Sequence, residues 1–494
     1  MKQFAKAIAL FSAGSFVGTL TQIAKGKLGA LVLGADGVGV INQLTNTWNL
    51  LYSISGLGFY NGIVRRVAHA HTAEDRNAML RQLSTSLIFL TTFACALTAL
   101  SLLVSPMISR WVFVDSGEHA GLVMLTLASV PFAITAQTYR GLLSGCQLIK
   151  PIVSAQVVSD VLGLVAFVIL VLSFNLVGAA IAFGTLQVLK LALQMFYVRK
   201  ALSESYLVPK PAYFDWREVR TNIGYGINGL FMVSVGVFTV VLVSRWIIAA
   251  AGLGANGLFS VAWKVASVYF GAIYASASSH YFPSLVACKD DDDLGARINE
   301  AITLYFYLLP PIIIALMLAG ETLMTVLFST KFASAAVLLL FLLPGDLFRV
   351  LAEAMGMAFL ARRRLLPYSL TYVLWAGVFL ALTWLAIPRF GVVGAAYAYL
   401  AAQVVSAIAV YVCARRIFSF HFSWTALRAI IAGTTAAGAT AALLMRSPST
   451  LSRYTSGALI LALWLATAMT ETQFRQLALA TWEKLRLTRQ RSVL

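Results

Sequence analysis

Charge is scarce in this 494-residue chain: only 11% of residues are charged, and acids are the rarer sign, 19 Asp and Glu against 37 Lys and Arg. A water-soluble multidomain protein needs more polar surface than that. The four cysteines, Cys95, Cys146, Cys288 and Cys413, stand at unrelated spacings, and the five histidines form no ligand cluster with them, which argues against a disulfide framework and a metal site. No GxxxxGK[ST] stretch occurs, so the chain has no phosphate-cradling loop with which to hydrolyse ATP. No pair of acids has hydrolase spacing in a water-facing domain, and no Ser, His and Asp constellation stands out. Enzymatic chemistry is therefore not expected, and no cofactor is implied.

Apolar residues are what the chain has in excess, 60% of the total, with a mean hydropathy of +0.83. Apolar runs long enough to cross about 30 Å of hydrocarbon recur from end to end. The expected fold class is an all-α polytopic membrane protein with about fourteen transmembrane helices. The expected spans are 6–24, 38–62, 83–104, 120–140, 152–173, 177–198, 222–244, 257–282, 301–320, 333–360, 368–387, 394–413, 425–445 and 455–471. The first run lacks a small-residue cleavage site and continues into "AKGK", so it is expected to stay as a mature helix. Lys and Arg concentrate in alternate loops, among them Lys2, Arg65, Arg66, Lys150, Arg199, Lys200, Arg362, Arg363 and Arg364, which puts both termini in the cytoplasm. The net charge of +18 then reflects loops lying against anionic inner-leaflet lipid, with no need for a nucleic-acid partner.

The chain repeats itself. "LGADGVGV" at 33–40 returns as "LGANGLFS" at 253–260, an offset of 220 that also sets Lys25 on Arg245. "FNLVGAAIAF" at 174–183 returns as "FGVVGAAYAY" at 390–399, an offset of 216 shared by Pro151 and Pro367. Two six-helix lobes follow, 1–200 and 221–413, joined by a cytoplasmic linker at 201–220 and followed by an extra helix pair at 414–472 and an amphipathic basic tail at 473–494. Lobes of six helices have the same topology, so they are parallel repeats about a central cavity, with the path between them. Asn256 stands where Asp36 does, so this turn needs no negative charge and reads as structural.

Ionisable residues inside spans cost at least ~2.5 kcal/mol at the bilayer centre unless a cavity or partner receives them, which makes them the default functional sites. The bases are Lys25 and Lys27 at the outer end of the first span, Lys190, Arg245, Lys264 and Arg349; the acids are Asp36, Asp160, Asp346 and Glu353. Their imbalance favours an anionic ligand such as a phosphate or diphosphate. Lys25, Lys27 and Arg245 could equally snorkel to the interface. Asp346, Arg349 and Glu353 share a helix face, so Arg349 is either neutralised by its neighbours or part of a cationic site whose acids are charge-compensating or coupling groups.

"KGKLGALVLGADGVGV", "SGLGFYNGIVRRVA", "STKFASA" at 329–335 and "PGDLFRVL" resemble the Wzx-type lipid-linked oligosaccharide flippases, of the enterobacterial-common-antigen and O-antigen kind, within the multidrug/oligosaccharidyl-lipid/polysaccharide exporter superfamily. The resemblance covers about 1–413, and the last helix pair exceeds the twelve helices of similar members. It implies a flippase that moves undecaprenyl diphosphate-linked oligosaccharide across a bacterial inner membrane by alternating access, for surface polysaccharide assembly. Gly26 with Lys27, Asn61 with Gly62, Lys331 with Phe332, and Asp346 with Arg349 match the family's motifs, Tyr60 standing where Phe is usual; Lys264 has no counterpart. A monomer is expected by analogy, and polymerase or chain-length machinery is a partner the resemblance admits. The alternative is a cation-coupled drug exporter of the same superfamily, which would want an acid early in the first lobe; none precedes Asp36.

Overall fold

The computed structural model describes residues 2–115, 117–276, 281–446, 455 and 457–464. Among these residues it is all helix and turn, without a strand. The elements are α1 (Lys2–Gly56), α2 (Phe59–Thr72), α3 (Arg76–Leu103), α4 (Ser105–Phe113), α5 (Ala120–Leu127), α6 (Val130–Gly145), α7 (Ile149–Ala201), α8 (Trp216–Ser276), α9 (Phe282–Ala287), α10 (Asp291–Leu318), α11 (Gly320–Leu327), α12 (Ala336–Ala361), α13 (Leu365–Phe390), α14 (Val392–Phe418) and α15 (Trp424–Arg446).

Among the described residues, ten helical stretches are long and apolar enough to cross a membrane. Three of them are double, because α1, α7 and α8 each pass through one non-helical residue: Gly34, Asn175 and Gly252. With α8 running on to Ser276, the three bends divide the ten stretches into thirteen helical segments among the described residues. The expected fourteenth, 455–471, lies largely outside the described residues, as does the expected amphipathic tail.

The bend at Asn175 is a full reversal: a Cβ on Gly178 would collide with the carbonyl of Leu170, eight residues back, which a straight helix would hold about 12 Å away. Gly391 makes the same reversal, with a Cβ on Gly394 falling 2.6 Å from the Ala386 oxygen. The backbone angles agree, φ 51° and ψ −126° at Asn175 against φ 57° and ψ −143° at Gly391. At the same offset of 216, Gln147 and Arg363 both take left-handed φ, 57° and 55°, just before the helices that open with Pro151 and Pro367. The repeated sequence thus encodes a repeated backbone hairpin.

The other repeat needs a correction of register. The left-handed bends fall at Gly34 (φ 69°) and Gly252 (φ 82°), an offset of 218 where the letters suggest 220. The two turns cross one another reciprocally. A Cβ on Gly39 would strike the Leu253 carbonyl, and one on Gly257 would strike the Ala35 carbonyl, so Gly39 answers to Gly257 and Ala35 to Leu253, each again at an offset of 218. Asn256 closes the crossing by donating from Nδ2 to the Gly39 oxygen at 3.1 Å. Backbone geometry outweighs letter identity here, and it sets Lys27, not Lys25, on Arg245.

The chain divides into two compact units, residues 1–260 with 327–331, and residues 261–326 with 332–494. In the first unit, the "GSFVG" of α1 lays Gly14 and Gly18 against α7, the former facing Val153 and the latter Gln156 and Asp160. Small residues four apart let two helices approach where apolar burial alone does not drive them together. In the second unit, α12 carries a long run of buried residues and packs on α10, α13 and α14.

Candidate functional site: two charged clusters in the helices

The first helix does not stop at residue 24 but continues to the bend at Gly34. Lys25 consequently lies nine residues, about 14 Å, below the turn, not at the helix end. Its ammonium faces α7, with Nζ 3.4 Å from a Cβ placed on Gly163. One turn earlier on that same helix, Asp160 points back at α1, with Oδ2 3.2 Å from a Cβ placed on Gly18. The hairpin at Asn175 adds a second lysine. Asp160 and Lys190 stand fifteen residues either side of the reversal, so they sit level, about 22 Å from the turn. Asp160 acts electrostatically on both lysines, and Arg140 of α6 acts on Lys190. Three bases and one acid thus converge within the first unit. None of the ion pairs among the described residues joins Asp160 to Lys25 or Lys190.

Two of these groups, Lys190 and Arg140, carry more weight here than the sequence gives them. Arg140 lies in "TYRG", in an ordinary-looking helix, and only packing reveals its neighbours. Lys27 is exposed. Gly26 beside it packs on Phe328, the residue before "STKF". Lys331 is exposed and Phe332 is fully buried. Arg245 donates from Nε to the Trp111 carbonyl at 2.7 Å and lies over that indole at 5.5 Å.

The "FYNG" motif builds a helix crossing. Gly58 opposes Gly226, Gly62 opposes Asn222, and Arg66 pairs in bidentate fashion with Glu218, one bond being 2.9 Å from Nε to Oε2. The steps are four residues on α2 against four in the opposite direction on α8, so one ridge of each helix meets the other. Arg65 adds a cation–π contact to Tyr225 at 4.8 Å, while Asn61 is exposed. Glu218 is only 8% exposed, so losing Arg66 strands a buried carboxylate. Arg66→Glu and Glu218→Arg should each lower the unfolding temperature of purified protein, by the equivalent of about 1–3 kcal/mol given the half-exposed arginine. The double exchange should recover most of the loss; additive losses would refute the pairing.

In the second unit, α12 carries Asp346, Arg349 and Glu353, and each acid has its own tyrosine. Tyr399 of α14 donates to Asp346 Oδ1 at 2.6 Å, and Tyr368 of α13 donates to Glu353 Oε2 at 2.9 Å. Glycines make room for both rings: a Cβ on Gly345 would lie 2.9 Å from Tyr399 Cε1, and one on Gly356 2.9 Å from Tyr368 Cζ. The glycine of "PGD" is thus the seat of the ring that bonds the aspartate. Arg349 lies within electrostatic reach of Tyr399, Asp346 and Glu353 and rests on the face of Phe270 at 3.6 Å. The helix-face reading of the sequence found the charges but neither tyrosine, because both come from other helices. Lys264 is exposed.

A Ser, His and Asp do meet in the turn after α4, where no sequence spacing announces them. Ser109 donates to Asp115 at 3.1 Å, and the His119 ring lies 2.6 Å from the other carboxylate oxygen. Burial pushes the Asp115 carboxyl up, but hydrogen bonds from His119, Gly117 and Ser109 outweigh it and hold it below its usual 3.8. The serine gives its proton to the acid and not to the histidine, so this is a loop clasp and not an activated nucleophile. Among the described residues no cluster could hold a metal ion.

Comparison with known proteins follows the same lines. Residues 12–288 match the family described as polysaccharide biosynthesis protein. The chain is 24% identical over 413 residues to the lipid III flippase of Escherichia coli (strain K12), an alignment that covers 81% of this chain and 95% of the relative. In fold it is similar to a solved structure of the lipid II flippase MurJ in an inward closed conformation (TM-score 0.73, 13% identity, covering 94% of this chain and 99% of that one). It is similar also to an inward-facing multidrug resistance MATE family transporter of the MOP superfamily (TM-score 0.72, 17% identity, covering 84% and 98%). With the pattern spanning more than half of its length, over the helices that carry the turn crossing, the α2–α8 ladder and the lysine cluster, this multi-span membrane protein belongs to the polysaccharide biosynthesis protein family.

Proposed function

We propose that this protein is a flippase that carries a lipid diphosphate-linked oligosaccharide from the inner to the outer leaflet of a bacterial inner membrane, both termini lying in the cytoplasm. The observation that carries the reading is the excess of bases over acids about Lys25 and Lys190, deep along helices that must lie in hydrocarbon. Charge so placed needs an anionic partner, and a diphosphate takes two or three charge-assisted hydrogen bonds. Of the cationic candidates, Lys25 with Lys190 and Arg140 forms the diphosphate site, while Arg245, held on Trp111, and Arg349, held on Phe270, brace helices beside the path. Lys27 and Lys264 are accessible and serve approach or release. The repeated hairpins support two lobes, 1–200 and 221–413, that rock in alternating access. No covalent step is needed; the E. coli relative is likewise named a flippase.

A second reading, a cation-coupled exporter, draws on the likeness to the MATE transporter fold. It would require an acid free to exchange an ion, whereas Asp160 is set among three bases. The test is reconstitution of the full chain in vesicles with leaflet-resolved detection of a labelled polyprenyl diphosphate oligosaccharide. Transfer of the label at a rate above protein-free vesicles, without an ion gradient, is expected. Transport of organic cations in its place would establish the exporter.

A further inference from the structure

Asp160 is an odd residue to find in a site built for an anion. It repels the ligand that the lysines attract, and burying it costs energy that an apolar residue would not. Yet the surroundings are shaped to hold it. A Cβ placed on Gly18 of α1 would stand 3.2 Å from its Oδ2 and 3.6 Å from Gln156 Nε2, so the glycine leaves room for both side chains. Gly163, one turn on, leaves the space for the Lys25 ammonium. The hairpin sets Lys190 level with the carboxylate. The acid thus faces two lysines from two directions, near enough to act on both and joined to neither by an ion pair within 4.0 Å. That is the geometry of a shared counter-ion with room left between the charges, not of a closed salt bridge.

We propose that Asp160 is the site's internal counter-ion: it holds Lys25 and Lys190 when no substrate is bound, and the substrate's diphosphate displaces it from them. The inference rests on the flippase reading and adds a role to the same site. A diphosphate offers several oxygens to the two ammonium groups against the two of one carboxylate, so it wins while bound. The carboxylate remains beside it, opposes tight binding and recaptures the lysines as the ligand leaves. Asp160 is therefore a positioning residue that sets affinity, and a carrier needs affinity weak enough for release.

The experiment uses the full chain in nanodiscs, with farnesyl diphosphate as the probe and flipping of the polyprenyl diphosphate oligosaccharide measured in parallel. Asp160→Asn should bind the probe about tenfold tighter, since one repulsive charge near the ligand is gone. It should flip more slowly because release is retarded. The gain in affinity should disappear in the double variant Asp160→Asn with Lys190→Gln, whereas Asp160→Glu should stay near wild type. If Asp160→Asn does not reach the membrane, Asp160→Ser, smaller and still polar toward Gly18, carries the same expectation. Equal or weaker probe binding in these variants, with wild type binding and flipping, overturns the counter-ion role and leaves the flippase reading standing. Wild type that neither binds the probe nor flips the lipid overturns both.

Discussion

Replacing Lys25 and Lys190 together by glutamine is expected to stop flipping while the protein still accumulates in the membrane. Lys25 on α1 and Lys190 on the second half of α7 lie near enough for Asp160 to act on both. Each charge-assisted hydrogen bond to a phosphate oxygen contributes about 1.5–3 kcal/mol, so each single variant should lose about one to two orders of magnitude in binding. The double variant removes two of the three bases and leaves Arg140 opposed by Asp160, so the net attraction for the diphosphate is lost. Glutamine keeps most of the lysine volume, but the Asp160 carboxylate loses its two counter-charges, so the unfolding temperature should fall, and adding Asp160→Asn should restore it without restoring flipping. The measurement is the vesicle assay with a labelled polyprenyl diphosphate oligosaccharide, alongside thermal unfolding. Near-normal flipping by the double variant would mean that the diphosphate is held elsewhere.

The second large effect is on folding. Gly257→Ala and Gly39→Ala should each prevent accumulation of properly folded protein or lower its unfolding temperature drastically. At these positions a Cβ meets backbone and not a side chain: on Gly39 it would stand 3.0 Å from the Leu253 carbonyl carbon, and on Gly257 2.9 Å from that of Ala35. A side chain can rotate away, but a carbonyl held in a helix turn cannot move without shifting the helix. A cost of about 3 kcal/mol or more follows, a large share of a domain's stability. Gly29→Ala provides the control. Nothing lies within 4 Å of its Cβ, so that substitution should be neutral or gain up to about 1 kcal/mol from helix propensity. Thermal unfolding followed by size-exclusion chromatography distinguishes them, and equal behaviour of Gly29→Ala and Gly257→Ala would refute the crossing.

Much of this architecture is legible in the letters. Apolar run length gives the spans, since each helix must satisfy its own backbone in lipid. Repetition of "F-x-x-VGAA" and of the two prolines gives the second hairpin, because like sequence at a reversal takes like dihedrals. The turns at Gly34 and Gly252 show where such reading slips. Letters align best at 220, but the backbone follows 218, since what must match is the spacing between a left-handed residue and the glycine that lets the partner turn approach.

Charge was legible as a list and not as a constellation. The sequence by itself determined that bases outnumber acids within the spans, that Asp346, Arg349 and Glu353 share one helix face, and that the chain is built of membrane helices. These follow from composition and from the 3.6-residue period, which are local. Tertiary structure alone decided that Asp160, Lys25, Lys190 and Arg140 come together, that Trp111 receives Arg245, and that Tyr399 and Tyr368 reach the two acids of α12. Each of those contacts joins residues on different helical segments, many positions apart in sequence. Their meeting depends on where the hairpins reverse and on which glycines let helices close, and neither is a property of any single helix.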